Sequence, residues 1–213
     1  MNLSTSDVHV GGEFVGGPTI SDEPLHRLLQ VGNMGGFRAK KSVNRGIAYV
    51  VLFSTGVEKE WPDGYEPSDG TFRYFGDNRT VGKDLLSSDG NKLLARINEL
   101  DLDTLTGRLA CPPFLLFNSV PKGPPRTVRS VGLAVPAVGQ WCVAKYFGTA
   151  RKFLNFEITL NVLADQVISR GWIDELVEGK VNGPSCPDWY RHWLVTGQAV
   201  VVKSRVLPKE DTK

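Results

Sequence analysis

The chain contains no run of eighteen apolar residues, about the shortest stretch that crosses a bilayer as a helix. Its first residues, MNLSTSDVHVGGEFVGG, lack the charged start and apolar core of a secretory leader. Cysteine is scarce. Cys111, Cys142 and Cys186 are odd in number and widely spaced, which excludes a disulfide framework and the paired spacing of a zinc site. They read as small buried hydrophobes in a reducing compartment. His9, His26 and His192 fall in no metal-binding pattern. Internal repeats and low-complexity tracts are also missing.

Signs of catalysis are equally thin. A metal-dependent nuclease core needs an acid followed by a strand carrying (D/E)-x-K. Glu58 and Lys59 are adjacent rather than spaced by one. Glu178-Gly179-Lys180 has the spacing but sits at an expected helix end. QAVVVK at 198–203 is strand-like but carries no acid. The glycine loop NRTVGKD, 78–84, lacks the G-x-x-x-x-G-K-[ST] spacing of a phosphate loop. The chain is therefore expected to bind something rather than to transform it.

The net charge of +2 decides nothing, but its distribution is uneven. Thr104 to Phe156 contains no Asp or Glu, yet carries Arg108, Lys122, Arg126, Arg129, Lys145, Arg151 and Lys152. Arg38, Lys40, Lys41 and Arg45 form a second acid-free patch. Residues 57–103 hold eleven acids against six bases. If the basic segments fold together they present one positive face, which binds phosphates by releasing counterions. The competing reading is a solvated surface with chance clustering.

At 213 residues and 41% hydrophobic composition the chain can bury a real core. SDEPLHRLLQV, 21–31, predicts a short helix with Ser21 or Asp22 as N-cap and Pro24 in the first turn. GIAYVVLFS, 46–54, is too continuously apolar for an exposed strand. Leu93, Leu94, Ile97 and Leu100 form a helical stripe over 91–100. From 113 to 161, FLLF, TVRSVGLAV, WCVAKYF and FLNFEITLNVL are strand-like runs separated by proline or glycine clusters. NSVPKGPPR, 118–126, is expected to protrude as a loop. Helices are expected over 162–178 and 187–196. The predicted class is α+β: a curled sheet or partly closed β-barrel with flanking helices. The expected organisation is a flexible segment over 1–20, a recognition domain over 21–163, a helical extension over 164–206 packed on it, and a tail over 207–213.

The most informative stretch is DGTFRYFGDNRTVGKDLLSSDGNKLL, 69–94. It reads as an aromatic strand, a polar glycine loop and a helix beginning at Gly90–Asn91. EWPDGYE, 60–66, precedes it and brings Trp61, Asp63, Tyr65 and Glu66 beside Phe72, Tyr74 and Phe75. Aromatic faces next to an acid and a glycine turn suit a planar, hydrogen-bonding ring, such as a nucleobase swung out of a duplex.

The order of these pieces resembles the SRA (or YDG) domain, a PUA-like module that reads 5-methylcytosine in DNA. The matching parts are GIAYVVLFSTG (46–56), EWPDGYE, GTFRYFG (70–76), DNRTVGKDL (77–85) and GNKLLA (90–95). One departure is Phe75, which stands where that family often has threonine after the tyrosine. VGNMGGFR (31–38), PPFLLF (112–117), RTVRSVGLAVP (126–136) and CPDWYRHW (186–193) extend the resemblance to the N-terminal recognition domain of AspBHI-type modification-dependent restriction endonucleases, relatives of MspJI. The likeness covers most of residues 25–195. It implies a bacterial cytoplasmic protein that needs no cofactor and binds duplex DNA carrying 5-methylcytosine, with 5-hydroxymethylcytosine a further candidate. In that family a nuclease domain follows the reader. The alternative is a PUA-like module for modified RNA or single strands, which duplex against single-strand affinity at matched salt would distinguish.

The resemblance also implies roles. An acid before the tyrosine strand accepts from cytosine N4. Asp63 is the first candidate, although Pro62–Asp63–Gly64 is a good turn in its own right, and Glu66 and Asp77 are alternatives. Tyr74 is the stacking face, with Phe75, Tyr65 or Trp61 opposite; Phe72 belongs to the core. Asn33, Met34, Phe37 and Arg38 are candidates to enter the duplex where the base has left, unless the loop is a plain helix-to-strand turn. Arg79, Lys83, Lys40, Lys41, Arg126 and Arg129 are candidates for phosphates. A single methyl group buried in a cavity contributes at most about 1 kcal/mol, so discrimination also requires rejection of the wrong base.

Overall fold

A computed structural model describes residues 2–57, 62–121, 124–148, 152–201 and 203. In chain order the elements are β1 (Val8–His9), β2 (Glu13–Val15), α1 (Pro24–Leu29), β3 (Phe37–Lys41), β4 (Ile47–Ser54), β5 (Gly64–Glu66), β6 (Thr71–Phe75), α2 (Asp89–Asn98) and α3 (Leu105–Ala110). They continue with β7 (Phe114–Val120), β8 (Thr127–Pro136), β9 (Cys142–Phe147), β10 (Phe153–Val162), β11 (Val167–Ile168), α4 (Arg170–Val177) and α5 (Asp188–Thr196). Nine strands make one sheet along the path β3-β4-β7-β8-β10-β6-β5, with β2 on β8 and β9 on β10; β1 and β11 pair separately. β3 and β5 end the path without meeting, so the sheet is curled but open, as the α+β expectation required.

β4 forms the centre. Seven of its eight residues are buried, which explains the unbroken apolar run. It pairs antiparallel with β3 and parallel with β7, and α4 packs against it. Opposite β8 the ladder slips between Leu116 and Phe117, leaving Val131 as the extra residue. A bulge of this kind bends a strand and increases its twist, which helps the sheet curl. β10 alternates buried and half-buried positions from Phe156 to Val162, and its partners β6, β8 and β9 meet different parts of it.

Three expectations need correction. Residues 1–20 were expected to be flexible, but Val8 and Phe14 are buried and β2 joins the sheet; Phe14 packs edge-on against Phe117 with ring centres 6.4 Å apart. The first helix is capped not by Ser21 or Asp22 but by Glu23, which accepts from the His26 N–H at 2.8 Å with Pro24 opening the helix. Asp22 closes a preceding 3-10 turn through the Thr19 hydroxyl. The helix expected over 162–178 begins only at Arg170, because Val162 ends β10 and Val167–Ile168 pair with β1.

The acid-free stretch does not make one open positive face. Arg108 is 4% exposed and donates to the carbonyls of Leu194 (2.8 Å) and Val195 (3.2 Å), clamping the end of α5, and to those of Leu102 and Asp103. Lys145 pairs with Glu157 at 2.8 Å and Arg129 with Glu13 at 2.7 Å. Acids distant in sequence return beside these bases through strand pairing. Lys122 and Arg151 lie outside the described residues.

Candidate nucleic-acid interface

The C-terminal end of β4, the loop before β3, the segment before β5, the loop after β6 and the residue before β8 converge on a cavity of about 210 Å³. Phe53 and Thr55 line it from the end of β4, Gly35 and Gly36 from the loop. Arg38, Asp63, Arg79 and Arg126 complete the wall.

Asp63 is half-buried, and its Oδ1 accepts the Phe75 N–H at 3.1 Å. The turn therefore does more than reverse the chain: it fixes a carboxylate at the cavity. Phe53 supplies an aromatic surface that the sequence reading treated only as part of a buried strand. The Arg126 guanidinium lies 5.4 Å from its ring centre and that of Arg38 5.9 Å, both suited to cation–π attraction. The available signal was position: Phe53 is the last aromatic of an apolar strand, immediately before Ser54-Thr55-Gly56.

Tyr74 occupies a different place from the one expected. It is 3% exposed, lies nearly parallel to Phe72 at 6.5 Å, and donates from its hydroxyl to the Phe53 carbonyl at 3.4 Å. Burial, with the Asp63 charge adding to it, pushes its phenol well above the ordinary range. Gly36 covers this hydroxyl so closely that a Cβ there would sit 2.4 Å from it and 2.7 Å from the Phe53 carbonyl oxygen. Tyr74 thus supports the cavity from behind rather than lining it. Phe75 points to the opposite face, as strand alternation demands, and meets Phe147 edge-on at 5.1 Å. Tyr65 packs against the core from β5.

The two alternative acids serve turns and caps. Glu66 Oε1 accepts from the Ser68 N–H and hydroxyl. Asp77 receives the Ser88 hydroxyl and the N–H groups of Gly90 and Asn91, both at 3.0 Å, and so caps α2 from outside the helix. Gly90 lies against the Asp77 carboxylate, 2.7 Å from where a Cβ would stand. Asn91 in turn donates to Asn155 Oδ1 at 2.9 Å and accepts the Asp77 N–H at 3.1 Å. The Gly-Asn helix start is therefore a structural joint beside the cavity. Trp61, like Glu58 and Lys59, lies outside the described residues.

In the loop before β3, Met34 is 73% exposed. Phe37 packs against the core, and Arg38 is buried in an ion pair, so neither is placed to enter a duplex. Arg38 holds the loop, donating to the Gly35 carbonyl at 2.8 Å and the Gly32 carbonyl at 2.9 Å while forking onto Glu23. Lys40 donates to the Gln30 carbonyl at 3.2 Å, Lys41 is exposed on β3, and Lys83 is exposed in the turn after β6. Arg79 is exposed at the cavity rim, and Arg126 is half-exposed, 3.6 Å from Glu23. Asn33 and Arg126 share a second cavity next to the first.

Fold and cavity together define a class, that of the recognition domains of modification-dependent restriction endonucleases. The chain belongs to the family of restriction endonuclease AspBHI N-terminal domains, whose model matches residues 9–205. It is similar to the DNA modification-dependent restriction endonuclease AspBHI, with 32% identity over 95% of this chain and 54% of that one, and a TM-score of 0.83. It is also similar to the DNA recognition domain of the cytosine modification-dependent restriction endonuclease LpnPI, at 27% identity over 95% of this chain and 93% of that one, TM-score 0.80. The MspJI restriction endonuclease, solved in complex with a 27-mer oligonucleotide, shares the fold at 22% identity over 94% of this chain and 55% of that one, TM-score 0.68. The chain thus spans about half the length of the AspBHI and MspJI chains. No curated protein matches it. Among the described residues no helix is long and apolar enough to cross a membrane, and no group of His, Cys, Asp and Glu is placed to hold a metal ion.

Proposed function

We propose that this chain binds duplex DNA containing modified cytosine, takes the flipped base into the Phe53–Asp63 cavity, and serves as the specificity part of a modification-dependent restriction endonuclease acting in the bacterial cytoplasm. The observation that carries this reading is the fixed Asp63 carboxylate and the Phe53 ring in one cavity bordered by arginines. Membership of the AspBHI N-terminal family supports it, as do the LpnPI recognition domain and its cytosine modification-dependent parent enzyme. None of the relatives above is named for RNA.

The base enters with its N4 amino group toward Asp63 and its ring against Phe53. Stacking on an aromatic ring contributes ~1–3 kcal/mol, which offsets much of the few kcal/mol needed to extrude a base. Arg79 and Arg126 at the rim take the phosphates of the flipped nucleotide and its neighbour, and Met34 fills the space it leaves. Strand cleavage belongs to a nuclease domain beyond this chain, as the half-length match to AspBHI suggests.

The test is a gel-shift comparison of one duplex carrying cytosine, 5-methylcytosine or 5-hydroxymethylcytosine at a single site. The parent is expected to prefer a modified duplex, and Asp63→Asn, which turns a donor toward N4, is expected to lose most of that preference. Equal binding to all three duplexes by the parent would end the proposal. An unchanged preference in Asp63→Asn would remove Asp63 from the site.

A further inference from the structure

The ladder between β6 and β10 ends where Phe75 pairs with Glu157. One more backbone bond follows, from the Gly76 N–H to the Phe156 carbonyl at 2.9 Å. The chain then enters the loop that carries Arg79 to the cavity rim, and three asparagine side chains take over from the sheet. Asn155 donates to the Gly76 carbonyl at 2.8 Å and accepts the Phe156 N–H at 3.0 Å and the Asn91 amide at 2.9 Å. Asn91 accepts the Asp77 N–H at 3.1 Å and donates to the Leu85 carbonyl at 2.8 Å, so it grips both ends of the loop. Asn78 donates to the Leu154 carbonyl of β10 at 2.9 Å and accepts the Thr80 N–H at 3.2 Å, a turn with Arg79 at its centre. None of the three is more than 2% exposed. The joint is also tight: a Cβ on Gly76 would stand 2.6 Å from Asn155 Oδ1 and nearer still to Asn91 Oδ1.

We propose that Asn78, Asn91 and Asn155 are positioning residues for phosphate binding, holding the loop after β6 so that Arg79 stands at the cavity rim before DNA arrives; the inference rests on the DNA-binding function proposed above. Burying amides costs free energy unless each group finds a partner. A matched network returns that cost and in exchange fixes one geometry. The loop it fixes is polar and exposed, with Arg79, Thr80, Val81, Gly82 and Lys83 all open to solvent. Without the asparagines such a segment would have to be ordered when the duplex binds, and that ordering weakens association. Being buried, the three amides act through the loop backbone and not by touching DNA. The joint begins one residue after Phe75, whose N–H holds Asp63. The carboxylate for the base and the guanidinium for the phosphate are thus set from adjacent points of one strand end.

The test titrates the full chain with a duplex carrying one 5-methylcytosine at several salt concentrations and reads the slope of log affinity against log salt. Each phosphate neutralised contributes about 0.9 to that slope. Arg79→Gln is expected to lower it by about that much. Asn155→Ala and Asn78→Ala remove no charge, yet each is expected to lower it by the same about 0.9. Adding Arg79→Gln to either is expected to lower it no further. A purely structural role would reduce the urea midpoint and leave the slope at the parent value. Asn78→Ala is also expected to weaken binding to plain and 5-methylcytosine duplexes by the same factor, because phosphates carry no sequence information. Asn78 stands outside the Asn91–Asn155 bond, so its variant carries the test should Asn155→Ala fail to fold. The parent slope in Asn78→Ala, or in a folded Asn155→Ala, overturns the inference. The parent slope in Arg79→Gln overturns it too, since no phosphate contact is then left to position. A parent that binds plain and modified duplexes alike overturns the proposed function itself.

Discussion

Arg38 and Glu23 form a two-pronged ion pair, with Nη1 to Oε2 at 2.8 Å and Nη2 to Oε1 at 3.2 Å, and their side chains are only 2% and 5% exposed. The pair ties the start of α1, which Glu23 caps, to the glycine loop that walls both cavities. Removing one partner from such a pair strands the other charge, at a cost of about 3–5 kcal/mol. Arg38→Met is therefore expected to lose stability in that range, with Arg126 only partly compensating from 3.6 Å. The double change Arg38→Met with Glu23→Gln is expected to lose less than Arg38→Met alone. Urea unfolding of the three proteins measures both, and a near-neutral Arg38→Met would show that the pair holds little.

Gly36 and Tyr74 are coupled by lack of space. A Cβ at position 36 meets the Tyr74 hydroxyl at 2.4 Å and the Phe53 carbonyl oxygen at 2.7 Å. Gly36→Ala is expected to destabilise by about 1–3 kcal/mol, the usual effect of overpacking. Tyr74→Phe removes one of the two clashes and is expected to restore part of that loss. A double-mutant cycle with no coupling between the two changes would contradict this geometry.

Phe53 and Tyr74 separate the two roles of aromatic rings here. Phe53→Leu keeps apolar bulk but removes the stacking face, and binding to a 5-methylcytosine duplex is expected to weaken about ten-fold, within the range of base–aromatic stacking. Tyr74→Phe gives up only a 3.4 Å hydrogen bond behind the wall, so binding is expected to stay within about two-fold of the parent. The reverse ranking in an equilibrium titration would return Tyr74 to the cavity.

Asp77 tests a cap against a base reader. Asp77→Ala leaves the first N–H groups of α2 without their acceptor. A loss of about 1–2 kcal/mol in stability is expected, as for other helix caps, together with an unchanged preference between modified and plain duplexes. Loss of that preference without loss of stability would mean that the carboxylate reads the base after all.

The thiols predict an alkaline limit. Burial pushes Cys111, Cys142 and Cys186 up to about 12 from an ordinary 9.0. The folded chain keeps these protons to higher pH than the unfolded chain. Their contribution is complete below pH 9 and is lost as the pH rises from about 9 to 12. The buried Tyr49, Tyr74 and Tyr190 phenols shift in the same direction. The urea midpoint is expected to be flat from pH 7 to 8.5 and to fall above pH 9. Slow alkylation of all three thiols in the native protein at pH 8, with fast alkylation in urea, is the companion measurement.

Much of this protein is legible in its residues. The apolar runs of β4, β7 and β8 are long and bounded by glycine or proline, and that of β10 is long, so hydrophobic pattern and turn chemistry identify them without tertiary information. The helix start at Gly90–Asn91 and the turn at Pro62–Asp63–Gly64 are local signals of the same kind. The error at 162–169 arose because an apolar run too short to have a definite period fits a strand end as well as a helix.

Local pattern settled the strands β4, β6, β7, β8, β9 and β10 and the helices α1, α2 and α5, that the class is α+β, and that Asp63 sits among aromatic residues near a turn. It did not decide which of several aromatics and acids share a cavity, because that depends on contacts between segments far apart in the chain. Strand alternation sends Phe75 away from Tyr74, the Phe53–Gly36 ladder brings the end of β4 under the loop, and α2 claims Asp77 for its first turn. The fate of the arginines was also decided in three dimensions. A charged group settles where an opposite charge or a row of carbonyls meets it, and Glu23, Glu13 and the end of α5 are supplied to Arg38, Arg129 and Arg108 only by the fold.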